Sequence, residues 1–111
     1  MKTTIAVMLL LPVAASADAA TIEMVPLKDK PFKAVITVSA KFEFGDQNTF
    51  RTKLASAPQP SIVAFNSPGG ALAVGIDIGE QIRARKLVTF VPSLMTCASA
   101  CALAWLAGWP R

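Results

Sequence analysis

Two short stretches hold the residue types that chemistry needs. Asn66-Ser67-Pro68-Gly69-Gly70 follows an apolar run and precedes a helical pattern, and Thr96-Cys97-Ala98-Ser99-Ala100-Cys101 marks a second junction of the same kind with a serine at its centre. An extended segment that ends in glycines at a helix start leaves backbone N–H groups unpaired, near the positive end of the helix dipole. Donors so placed can stabilise an oxyanion. Successive right-handed crossovers bring the carboxyl ends of parallel strands together, so Ser99 is expected beside the glycine turn. Together the two stretches read as half of an acyl-transfer site.

The other half is missing from these residues. A serine hydroxyl is a weak nucleophile until a base takes its proton, and the sequence contains no histidine. A Ser-His-Asp triad therefore cannot be completed within it. Lysine, the alternative base, occurs at Lys28, Lys30, Lys33, Lys41, Lys53 and Lys86, all upstream of Ser99 and all in polar, exposed contexts. Asp77 is a carboxylate in range by sequence, but its helical position points it to solvent.

The only two cysteines, Cys97 and Cys101, bracket Ser99. On a regular helix residues four apart are near enough to bridge but awkwardly directed, whereas an irregular first turn admits a disulfide. The alternative is a pair of buried thiols packing as small apolar groups. Without histidine or a second cysteine pair, no metal centre is expected, and nothing in the sequence calls for a cofactor.

The elements that must position these residues are set by proline and glycine breaks. Thr21 to Pro31 is a charged lead-in without a clear period, expected as an extended arm within 18–32. Phe32 to Phe44, centred on Val35-Ile36-Thr37-Val38, reads as the first strand. Asp46 can cap a short helix from Gln47 to about Ala57, which Pro58-Gln59-Pro60 terminates. Ser61 to Phe65 is almost wholly apolar, as a strand covered on both faces would be.

From Ala71 to Arg85 the pattern is helical, with Leu72, Ile76, Gly79 and Arg83 along one side, Gly75 and Ile82 near it, and Asp77, Glu80, Gln81 and Ala84 opposite. Gly75 and Gly79 each cost about 1 kcal/mol of helix propensity, which implies a close approach of this helix to the sheet. Leu87 to Val91 is a third strand, and Ser99 to Ala107 a helix with no charge on any face, expected to be fully buried. The uncharged stretch from Leu87 to Pro110 is long enough to span a bilayer, but Pro92, Ser93, Thr96, Ser99 and Pro110 divide it into two elements.

Asn66 to Gly70, together with Cys97 to Gly108, resembles the ClpP/crotonase superfamily, and most of all its periplasmic, ClpP-protease-like branch. In ClpP-type serine peptidases the Ser-Pro-Gly-Gly turn supplies oxyanion-hole backbone, and the nucleophile lies in an Ala-Ser pair opening an apolar helix that ends at Ala-Gly. Ala98-Ser99 and Ala107-Gly108 stand in that relation here. The resemblance covers 33–111 and implies an α/β fold of repeated β-α units with a small, mostly parallel sheet. It implies Ser99 as nucleophile, with Ala100 and either Gly69 or Gly70 giving the oxyanion hole, and a peptide or protein as substrate. It also implies a homo-oligomer. The family's histidine and acidic partner follow the serine helix, in a region not represented before Arg111, so the domain is expected to be incomplete.

Lys2, the apolar run Ile5 to Val13 and the small residues Ala15-Ser16-Ala17 form an export-signal pattern over 1–17, which predicts a periplasmic or secreted protein and an oxidising environment for the cysteines. The net charge of +4 is mild, and losing Lys2 leaves ten basic against seven acidic side chains, or +3. Arg83-Ala84-Arg85-Lys86 falls at a helix C-terminus, where cations complement the dipole, so no nucleic-acid partner is expected. Some 94 residues after the signal bury a small core, so marginal stability or self-association is expected. Two other functions fit the sequence less well. Crotonase chemistry on coenzyme A thioesters needs no serine and is mainly intracellular, and a non-catalytic periplasmic or membrane-attached interaction module would use the same scaffold without the reaction.

Overall fold

A computed structural model describes residues 19–29 and 31–110; the export-signal pattern over 1–17 lies outside the described residues. The chain forms an α/β unit with strands β1 (Thr21–Pro26), β2 (Ala34–Ser39), β3 (Ser61–Asn66) and β4 (Val88–Phe90) and helices α1 (Asp46–Ser56), α2 (Leu72–Arg85) and α3 (Ala100–Leu106). The four strands make one mixed sheet in the order β1-β2-β3-β4. β2, β3 and β4 are parallel, and β1 pairs antiparallel with β2 from Thr21 opposite Ser39 to Pro26 opposite Ala34. The lead-in expected as an arm is therefore an edge strand. Its pairing needs only one buried side chain, Ile22, too weak a period to stand out in the sequence.

Register explains the core. One face of the sheet carries Ile22, Ile36, Val38, Val63 and Phe65, all buried against Phe50 and Leu54 of α1 and Val74, Ile78 and Ile82 of α2. The opposite face carries Val25, Val35, Ile62 and Val88 in one row across the four strands, none of them fully buried. β3 is thus helix-covered on one face, not on both as its composition suggested. Burying Ala64 on the other side falls to the loop after β4, whose Pro92 and Met95 lie across the strand ends with Thr37, Ser39 and Asn66.

α2 is rotated from the face expected of it. Val74, Gly75, Ile78, Gly79 and Ile82 are buried, while Leu72 and Ile76 are exposed at 57% and 45%. Gly75 and Gly79 do not face the sheet; they face α3. A side chain on Gly75 would strike the Ala100 carbonyl, and Gly79 lies against Ala104 and Ala107. Small residues on both helices let the two backbones meet. α3 is also only half buried: Ala100, Cys101 and Ala104 face inward, but Leu103 and Leu106 are exposed at 43% and 52%. An uncharged helix was expected to be enclosed, and here its outer half is bare among the described residues.

At α1, the N-cap is Gly45 and Asp46 is the first helical residue. The buried Asp46 carboxylate does not cap the helix by the expected route but accepts the N–H of Glu43 at 2.6 Å and of Ala20 at 3.2 Å, tying the preceding loop and the start of β1 to the helix. None of the described helices is long and apolar enough to cross a membrane; the uncharged stretch from Leu87 is divided into β4, a loop and α3.

Candidate functional site

The carboxyl ends of the parallel strands feed three segments that meet. Beyond β2 the chain turns at Ala40 and brings Phe42 against Gly70 in an isolated parallel bridge, in which Phe42 donates its N–H to the Gly69 carbonyl at 2.8 Å and accepts the Ala71 N–H at 3.0 Å. Beyond β3, Ser67 bridges to Cys97 in the segment that follows β4. Ser67 donates its N–H to the Thr96 carbonyl at 2.7 Å, and its own carbonyl accepts the Ala98 N–H at 3.1 Å. Asn66 adds a side-chain bond, its Oδ1 accepting the Thr96 N–H at 3.2 Å. The glycine turn and the serine loop are thus laced together by backbone hydrogen bonds.

Lacing places Ser99 directly on Gly69. A β-carbon built on Gly69 would sit 2.7 Å from the Ala98 carbonyl oxygen and 2.8 Å from the Ser99 Cβ, closer than side chains come. Gly69 also has φ +106°, which glycine adopts at little cost and other residues do not. Only glycine satisfies both demands.

Ser99 is the N-cap of α3, with φ 57° and ψ −125°. Such a conformation costs an L-residue on the order of 1–3 kcal/mol and persists where the surroundings over-determine it. A serine on a sharp, strained entry to a helix, its hydroxyl exposed, is the geometry of a nucleophile elbow. Ser99 is exposed, and its hydroxyl has no hydrogen-bond partner among the described residues.

The donors can be assigned one by one. Gly69 spends its N–H on the Ser67 hydroxyl at 3.0 Å, so of the two candidate glycines it is the one already engaged. The Gly70 and Ala100 N–H groups have no partner among the described residues. Ala100 follows Ser99 directly and Gly70 follows Gly69, so two free donors flank the serine's contact with the turn. α3 has seven residues, too short for a large macrodipole, so any polarisation here would come from the two individual N–H groups.

Cys97 and Cys101 are joined in a disulfide, with Cα atoms 5.1 Å apart. The bond is accommodated because Cys97 lies outside the helix, in the segment bridged to Ser67. Asp77 is far along α2, half-exposed, and paired with Arg51 at 3.3 Å while accepting a hydrogen bond from Gln81 at 2.8 Å. Lys41 pairs with Glu43 at 3.7 Å, and Lys86 lies over the Trp109 ring. No group of three or more metal-ligating side chains occurs among the described residues.

Two residues carried no role of their own in the sequence: Ser67, singled out only as part of the glycine turn, and Phe42. Ser67 is buried and acts through its hydroxyl on Gly69; a serine two residues before a turn glycine is the available signal. Phe42 acts through its backbone, for which the sequence offers no signal beyond its place at the end of an apolar run. Compared with family models, with curated proteins and with solved structures, the chain matches none.

Proposed function

We propose that the chain is an exported, ClpP-like serine-peptidase-type domain that carries a nucleophile and oxyanion donors but no base of its own. Ser99 is the nucleophile, and Gly70 and Ala100 hold the oxyanion. A single observation carries the reading: a serine strained to positive φ, hydroxyl free, pressed onto a glycine turn with an unpartnered N–H on either side of the contact. In acylation the Ser99 Oγ would bond to the scissile carbonyl carbon of a peptide while its proton passes to a base. No histidine exists in the sequence to accept it, so these residues on their own are inactive toward peptides. The export-signal pattern and the disulfide agree with a periplasmic or secreted location.

An external base tests this. A fluorophosphonate should label the oxidised protein slowly, and added imidazole should accelerate labelling by taking the hydroxyl proton as the Oγ–P bond forms and fluoride leaves. Ser99→Ala should abolish it. A folded protein that imidazole leaves unlabelled would sink the reading. The weight would then pass to a non-catalytic interaction module, which the exposed apolar face formed by Leu72, Ile76, Leu103 and Leu106 favours.

A further inference from the structure

The structure puts a covalent bond across the strained serine of the site. Cys97 is anchored in the segment bridged to Ser67, Cys101 is in the first turn of α3, and Ser99 is midway between them at φ 57°. We propose that the Cys97–Cys101 disulfide is a redox-sensitive clamp that positions Ser99, and that opening it dismantles the site by letting the serine relax. The consequence for activity rests on the function proposed above; the conformational claim does not.

The argument is one of competing preferences. From Ala98 to Ala107 seven of the ten residues are alanine or leucine, with neither proline nor glycine among them, so intrinsic propensity favours extending α3 back through Ser99. A continuous helix would advance about 6 Å over four residues. That is near enough for a disulfide, but a regular helix points both Cβ bonds toward its N-terminus rather than toward each other; here the pair, with Cα atoms 5.1 Å apart, is bonded across a kinked entry. Closing the ring therefore selects the kink, and the kink is what turns the Ala100 N–H away from the preceding carbonyls and leaves it free. With the ring open, Ser99 can enter the right-handed basin and the Ala100 N–H can bond back to the 96–97 carbonyls. The hydroxyl and one oxyanion donor are then lost together.

The chemistry is a two-electron reduction. A small dithiol supplies two electrons and two protons; the Cys97–Cys101 S–S bond breaks, two S–H bonds form, and the dithiol closes to its own cyclic disulfide. Ser67, Gly69 and Phe42 are not part of the ring, so the glycine turn should outlast the change.

Isotope-labelled full-length protein read by NMR tests this, through the Ser99 HN–Hα coupling and 13Cα shift, which report its φ. In the oxidised protein φ should be positive. After treatment with dithiothreitol, and independently in the Cys97→Ser/Cys101→Ser variant, it should become negative and helical while the Gly69 and Gly70 signals stay in place. A folded reduced protein that keeps positive φ at Ser99 overturns the proposal. So does unfolding of the whole domain on reduction, because the bond would then be a general staple. As a second measurement, Ser99→Gly should make the disulfide at least several-fold harder to reduce at equilibrium, since glycine relieves the strain of the closed form; an unchanged equilibrium overturns the clamp. Fluorophosphonate labelling is not used, so a failed peptidase reading and a failed clamp give different results.

Discussion

At residue scale the site turns on two neighbours whose demands are opposite. Gly69 needs the absence of a β-carbon, because Ala98 and Ser99 fill the space where one would stand, and it needs freedom at φ +106°. We predict that Gly69→Ala costs about 2–3 kcal/mol, which in a domain this size lowers the midpoint of thermal unfolding by roughly 10–20 °C; calorimetry checks it, and a shift under a few degrees would mean the turn can retreat from Ser99. Ser99 pays the strain instead of avoiding it. In the oxidised protein Ser99→Gly should raise stability by about 1 kcal/mol despite the added freedom of the unfolded chain, whereas Ser99→Ala should stay within about 0.5 kcal/mol of the parent while losing all fluorophosphonate labelling. A parent that matches Ser99→Gly in a denaturant titration would show that the turn is not strained.

At the scale of elements, the glycines of α2 separate propensity from packing. Both would gain helix propensity on changing to alanine, on the order of 1 kcal/mol. At Gly75 the new methyl would lie 2.9 Å from the Ala100 Cβ and closer still to its carbonyl, whereas at Gly79 the nearest atom, the Ala104 Cα, is 3.4 Å away. Gly75→Ala should therefore destabilise by roughly 1–3 kcal/mol as α2 and α3 are forced apart, and Gly79→Ala should stabilise by about 0.5–1 kcal/mol; urea melts of the two variants should move in opposite directions. The same pair shows what a sequence can and cannot disclose. Two glycines four apart do announce a close approach, but periodicity is blind to the partner, and the partner is a helix rather than the sheet. β3 and β4 were readable because their apolar runs stop at Asn66 and just before Pro92, whereas β2 was placed by its Val35–Val38 centre but drawn too long, from Phe32 to Phe44, because no proline or glycine marks its end at Ser39. β1 was not, because an edge strand with a single buried side chain leaves almost no alternation. That Ser67, Pro68, Gly69 and Gly70 would lie beside Ser99 was readable by residue type and order. Which glycine donates was not, since that depends on the Ser67 hydroxyl reaching Gly69 and leaving Gly70 free.

At the scale of the whole molecule, one face of the sheet is packed against three helices and both outer layers are left apolar. On the helical side Leu72, Ile76, Leu103 and Leu106 are exposed, and a groove of about 310 Å³ is lined by Ile76, Gly79, Glu80, Arg83, Leu103 and Ala107. On the sheet side Val25 and Phe90 are exposed, and Leu94 stands fully in solvent on the loop. Isolated exposed leucines need no explanation, but a contiguous patch on adjacent helices drives association. Which side dominates is decided by where the polar residues fall: Glu23 and Thr37 break the sheet face in the row beside Phe90, whereas on the helical side the charges, Glu80 and Arg83, belong to α2 and α3 offers none. We therefore predict that the folded protein self-associates through α2 and α3. Replacing Leu103 and Leu106 together by glutamine should remove four half-buried leucines from a symmetric pair, about 1 kcal/mol each, and weaken association roughly a thousandfold with the fold retained. Sedimentation across a concentration series reads this directly. Association that survives the double change, in a protein whose circular dichroism is unaltered, would move the contact to the row of Val25, Val35, Ile62 and Val88, and the helical groove would be left without a role in assembly.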